Sequence, residues 1–149
     1  MERILPIKEP KTFDCYHDSL THHYAAPVFY DALKREISFA KREGNLVGVV
    51  KFQLFENATE DQLLFFANEL ELAIRQHDLI SRIASKEFFV LLRFDSDITS
   101  ACEALVERIK TVEKRGFLYA WVFSDGTKGL VEVQTELDNP QILKSSKQL

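Results

Sequence analysis

Four histidines, two lysines set beside apolar residues and one Arg-x-x-Asp quartet are the side chains here whose types and spacing bear on chemistry. His17, His22, His23 and His77 carry ligand nitrogens, but His22 and His23 are adjacent before a helix, where their rings need not converge. No Cys or Asp cluster completes a set, so packing or surface roles are expected and no metal. Cys15 and Cys102 are too few and too far apart for a disulfide framework or a zinc site. No serine or cysteine stands in a nucleophile-elbow context, so acyl transfer has no support. Lys51 in VVKFQLF and Lys86 in SRIASKEFF have ammonium groups, which donate hydrogen bonds and offer no lone pair to a metal. Arg75 and Asp78, in RQHD, read from the residues alone as a helix-end cation and a turn residue.

The elements that must position these groups follow from hydrophobic period. Phe29, Leu33, Ile37 and Ala40 recur at helical spacing, and KREG closes the run with two cations and a glycine. NLVGVVKFQLF is too continuously apolar for a surface element and is expected as the central strand. ENATED starts a second helix with Leu63, Phe66, Ala67, Leu70 and Ile74 on one face, ending at Arg75. Ser81 to Ile83 and Phe88 to Leu92 form the arms of a hairpin whose bend, Ala84-Ser85-Lys86-Glu87, lacks the glycine that tight turns favour. A third helix spans Ile98 to Val112, with Ala101, Leu105 and Ile109 on one face. GFLYAWVF is a strand and SDGTKG a turn; LVEVQTEL reads as strand or short helix. This order implies an α/β (α+β sandwich) fold, a mixed central sheet flanked by helices.

The chain has 149 residues, 46% of them hydrophobic, which suits one domain. An amino-terminal arm is expected at 1–16, the domain at 17–135 and a polar tail at 136–149. The net charge of −4 gives no reason to expect nucleic acid or an anionic membrane as partner. No apolar run approaches a bilayer span and the first residues are charged, so a soluble cytoplasmic protein is expected. Twelve phenylalanines describe a core and no chemistry.

With the order of elements in hand, the sequence resembles the GGDEF family of bacterial diguanylate cyclases, which condense two GTP molecules into cyclic di-GMP. Asp18, Leu20 and Thr21 match the family's opening Asp-x-Leu-Thr; VVKFQLF sits at its metal-binding strand, usually Asp-x-Asp-x-Phe, with Phe55 kept. RQHDLISRIASKEF has the spacing of Arg-x-x-Asp followed, after five residues, by Gly-Gly-(Asp/Glu)-Glu-Phe. The resemblance covers Asp18 to Phe123.

The departures fall on the family's catalytic groups. Ala84 and Ser85 replace the two glycines beside the nucleotide, Lys86 the acidic metal ligand, and Lys51 the strand aspartate. Glu87 and Phe88 remain, and two uses stand for the lysines that the resemblance brings to this site: jointly gripping a triphosphate, or pairing with Glu56 or Glu87, the latter being the expected one. Magnesium requires oxygen donors, so the resemblance implies a scaffold without its metal site and without cyclase activity. The nucleotide-binding stretch after the metal strand is reduced to ENATE, and the family's closing helix with its phosphate-binding lysine is unrecognisable.

What the resemblance leaves intact is the inhibitory-type site. Arg75 and Asp78 match its motif, and Arg108, in ERIK, lies where the family often supplies a second arginine. A guanidinium can fork onto guanine O6 and N7, and a carboxylate accepts from the N1 and N2 hydrogens. The expectation is a catalytically inactive regulatory domain without cofactor, acting through a protein partner or a second copy of itself, with cyclic di-GMP gating at Arg75, Asp78 and Arg108. The alternative is a partner-binding or dimerising module indifferent to nucleotides. Candidate contact surfaces are the apolar ILPI stretch and a sheet edge near the carboxyl terminus.

Overall fold

The computed structural model describes residues 16–93 and 97–147. Apart from Tyr16, the expected arm with its ILPI stretch lies outside the described residues. In chain order the elements are β1 (Tyr24–Ala25), α1 (Ala26–Glu43), β2 (Val47–Gln53), α2 (Glu60–Ala73), β3 (Leu79–Ala84), β4 (Glu87–Leu92), α3 (Ile98–Val112), β5 (Leu118–Ser124), α4 (Leu130–Asp138) and β6 (Lys144–Ser145). A short 3-10 turn, Pro140–Ile142, joins the last two.

Alternation along the strands divides the core into two layers. The strands form one sheet in the order β1-β3-β4-β2-β5-β6, with β1 parallel to β3 and the other pairs antiparallel. Val50 and Phe52 of β2, with Phe88 and Val90 of β4, face α2 and α3, where Phe66, Leu70, Ile98 and Ile109 meet them. Val47 and Val49, with Phe89 and Leu91, face α1 and α4, against Phe29, Leu33, Ile37, Val133 and Leu137. Period two in the strands and the apolar stripes of the helices thus produce an α+β sandwich with β2 at its centre.

Local chemistry sets the boundaries. Gly44 ends α1 in the left-handed region at φ 72°, its N–H donating to the Ala40 carbonyl. Thr59 and Gln62 close a reciprocal capping box at the start of α2. At Gly48 a Cβ would stand 2.6 Å from Ile98 Cγ2, so this glycine is what lets α3 lie close on β2.

Three expectations are refined. The ambiguous LVEVQTEL is helical, burying Val133 and Leu137 against the sheet. Part of the segment expected as a polar tail is tied to the sheet: β6 pairs with Leu118 and Tyr119, and Ser146 exchanges hydrogen bonds with Phe117. The second helix ends at Ala73, with Ile74 as its cap, two residues before the expected Arg75. The carboxyl-terminal sheet edge is the two-residue β6.

Candidate functional site

The glycine-free bend between β3 and β4 is closed by a side chain. The register shifts between Arg82 and Ala84, a bulge that lets Ala84 pair with Glu87. Among the described residues only His22 outside glycine has positive φ, so Ala84 and Ser85 turn the chain without the left-handed conformation. Arg82 holds the bend by donating from Nε and Nη2 to the Ser85 carbonyl at 3.3 and 3.0 Å. Its Nη1 reaches both carboxylate oxygens of Asp18 at 3.2 Å. Asp18 Oδ2 also accepts from the Thr21 N–H and hydroxyl, at 2.8 and 2.9 Å. Burial raises the Asp18 pKa, but the Thr21 hydrogen bonds and the Arg82 guanidinium outweigh it and hold the carboxyl below its ordinary value. Sequence reasoning passed over Arg82; its place two residues before the bend was the available signal.

Lys51 lies on the α1/α4 face of β2, in register with Phe89 and Ala120. Its side chain is 5% exposed, and Nζ donates to the Leu137 carbonyl in the last turn of α4 at 3.0 Å. That carbonyl is one of the helix's unpaired acceptors, at the negative end of its dipole, so a buried ammonium is well placed there. Glu87 Oε1 is 4.0 Å from Nζ, and Glu56 is exposed. The Lys86 carbonyl accepts from the Leu54 N–H, which ties the bend to the end of β2. Magnesium needs several oxygen donors, and the groups that converge here present a buried ammonium in the place of one, so they do not fit the ion. Among the described residues no three His, Cys, Asp or Glu side chains stand together as a metal set.

The histidines are dispersed. His23 is buried beneath α2, its Nε2–H donating to the Ala67 carbonyl at 3.0 Å and its ring edge-on to Phe88. Burial pushes its pKa below the ordinary imidazole value, against the opposing pull of the Ala67 bond and the Glu71 carboxylate. His17 stacks on Tyr24, and His22 takes the left-handed backbone of the Asp18 turn.

Arg75, Asp78 and Arg108 line one pocket of about 290 Å³ between the end of α2 and the flank of α3. The rest of its wall is apolar: Ala73, Ile74, Leu92, Ala101, Ala104 and Leu105. Arg75 forks onto Asp78, Nε to Oδ2 at 3.0 Å and Nη2 to Oδ1 at 3.1 Å, and Nη2 also reaches the Arg93 carbonyl at 3.3 Å. Asp78 is 1% exposed and Arg75 38%, so the carboxylate is fixed below while the guanidinium opens to solvent. Arg108 Nη1 donates to the Ala73 carbonyl at the end of α2. Small residues on α3 leave the space, the two arginines supply polar groups at its rim, and the Asp78 carboxylate lies beneath them. A flat heterocycle with paired acceptors and donors suits that combination.

Behind the pocket stands a second arginine link that the sequence did not reveal. Arg93 Nε donates to the His77 carbonyl at 2.7 Å and Nη1 to Glu36 of α1 at 2.8 Å.

No protein-family model matches the chain, and no curated protein matches it significantly. Solved structures do. The GGDEF domain of PA1120 (TpbB or YfiN) from Pseudomonas aeruginosa superposes with a TM-score of 0.71 at 18% identity, over 83% of this chain and 84% of that one. The GGDEF domain of DgcB from Caulobacter crescentus, in complex with c-di-GMP, gives 0.73 at 15% identity, over 85% and 88%. Diguanylate cyclase SiaD in complex with its activator SiaC, also from Pseudomonas aeruginosa, gives 0.58 at 14% identity, over 80% of this chain and 58% of that one. At such identities likeness speaks for fold, and the six-stranded mixed sheet with its four helices has the fold of a GGDEF-like domain.

Proposed function

We propose that this is a catalytically inactive GGDEF-like regulatory domain that acts through a protein partner and is gated by cyclic di-GMP at Arg75, Asp78 and Arg108. The observation that carries the reading is the gathering of these three side chains around one partly apolar pocket; the inactivity is supported by Lys51, which stands at the strand position where the GGDEF pattern has an aspartate and is buried against the Leu137 carbonyl. In the pocket Arg75 turns one edge of its fork from Asp78 to guanine O6 and N7, Asp78 accepts from N1 and N2, and Arg108 faces the phosphodiester. The c-di-GMP complex of DgcB and the activator complex of SiaD support nucleotide and protein partners for a domain of this fold. Loss of catalysis rests on chemistry: without oxygen donors at positions 51 and 86, the charge neutralisation that phosphoryl transfer needs has no source.

One observation favours a second reading, a nucleotide-independent interaction module. Arg75 and Asp78 already satisfy each other and Arg108 is held by a backbone carbonyl, an arrangement complete without ligand. Calorimetric titration with cyclic di-GMP separates the two. Micromolar binding lost in Arg75→Ala supports gating, and no heat at high ligand concentration supports the module. Incubation with GTP and magnesium tests the inactivity, which any cyclic di-GMP formed would refute.

A further inference from the structure

The outer face of α1 is unusual for an acidic chain. Lys34, Arg35, Ser38, Phe39 and Arg42, with Glu36 at the margin, line an open cleft of about 520 Å³, and Lys41 stands beside it. Lys34, Arg35, Lys41 and Arg42 are exposed, and among the described residues none of the four forms an ion pair. Glu36, the one acid in the cleft, is engaged by Arg93. The helix dipole accounts for Lys41 and Arg42, which lie in the last turn of α1, but not for Lys34 and Arg35 in its middle. Phe39 adds a half-buried ring with the Arg42 guanidinium 5.9 Å from its centre, so the face offers apolar area between charges.

We infer that this face of α1 docks an acidic segment of a protein partner. Spacing sets the match: Lys34 and Lys41, and Arg35 and Arg42, are each seven residues apart, two helical turns. An acidic segment with carboxylates repeating at that interval meets both pairs, and an apolar side chain between them covers Phe39. Exposed Asp31, one turn earlier, bounds the site at its amino-terminal side. The chain's net charge of −4 repels a long polyanion, whereas a short segment lies within one screening length of the four cations, roughly 10 Å at 0.1 M salt. That contrast selects a peptide over nucleic acid. The inference gives chemistry to the partner in the proposed function and rests on that partner half only, since it requires no nucleotide.

The test is fluorescence anisotropy with the full chain and a fluorescein-labelled helical peptide carrying glutamates at seven-residue spacing around a central leucine. Binding that weakens as salt rises is expected. It falls about tenfold in Lys34→Glu/Arg42→Glu and less than about twofold in Lys114→Glu/Lys128→Glu, which makes the same charge change elsewhere. Equal loss in both variants, no binding at low salt, or tighter binding of a single-stranded oligonucleotide of equal charge overturns the inference. Circular dichroism melts of the variants check that each is folded. A failed peptide titration leaves the cyclic di-GMP result standing, so the two ideas fail separately.

Discussion

Lys51→Asp places on the central strand the acidic residue that the GGDEF pattern carries at that position, and it is expected to damage the protein rather than create a metal site. The lysine's charged donor lies 3.0 Å from the Leu137 carbonyl, and a hydrogen bond to a charged group contributes roughly 1.5–3 kcal/mol. Glu87 at 4.0 Å is 29% exposed, so that ion pair adds little after screening. Aspartate removes the bond and sets a carboxylate beside Glu87 and the negative end of α4, two unfavourable neighbours. The total cost is about 3–5 kcal/mol, which for a domain of this size lowers Tm by roughly 9–15 °C. Lys51→Met keeps most of the stem packing and sheds the ammonium's desolvation, so the unsatisfied carbonyl costs about 1–2 kcal/mol. Differential scanning fluorimetry with and without 10 mM magnesium reads both changes. A Lys51→Asp protein as stable as the parent, or one that magnesium raises by several degrees, refutes the reasoning.

Acid stability divides between two groups. Asp18 has a lowered folded pKa, so its contribution is full above the ordinary carboxylate value and is lost as pH falls through the folded one; Asp18→Asn flattens that limb of the urea-midpoint profile. His23 is also lowered: the unfolded chain takes up the proton first, so stability declines as pH falls from about 6.5 toward the folded pKa, and His23→Gln removes that slope. Gly48→Ala forces a Cβ against Ile98 and costs roughly 1–3 kcal/mol in urea unfolding, while Ser38→Ala on the exposed face of α1 is nearly neutral. If cyclic di-GMP gates the domain as proposed, its addition is expected to alter amide exchange in α1 through Arg75, Arg93 and Glu36, and Glu36→Gln is expected to abolish that change while leaving ligand affinity within about threefold.

The elements that position the pocket were legible because their signals are local. Phe29, Leu33 and Ile37 repeat at helical period, β2 is continuously apolar, and the polar ENATED marks a helix start. That Arg108 stands with Arg75 and Asp78 was implied by the family resemblance alone; Arg75 and Asp78 by themselves read as a helix-end cation and a turn residue, and the pocket they line came from the fold. What stayed hidden is long-range and carried by backbone atoms: Lys51 is satisfied by a carbonyl 86 residues away, which no side-chain pattern encodes. The Arg93 to Glu36 link joins α1 to the end of β4 across 57 residues, and the polar composition of 136–149 concealed a strand held by main-chain bonds to β5. Residue types announced the charged groups; only the fold assigned their partners.

Titration of the full chain with cyclic di-GMP in a buffer containing EDTA is the most direct measurement of the account, because it asks whether the arginine pocket acts without a metal. The account predicts micromolar binding that survives chelation, is abolished in Arg75→Ala, and weakens at least tenfold in Asp78→Asn as the contact to guanine N1 and N2 is reduced. Binding that requires magnesium, or that persists in Arg75→Ala and disappears in Lys51→Met, would locate the nucleotide at the central strand and contradict it.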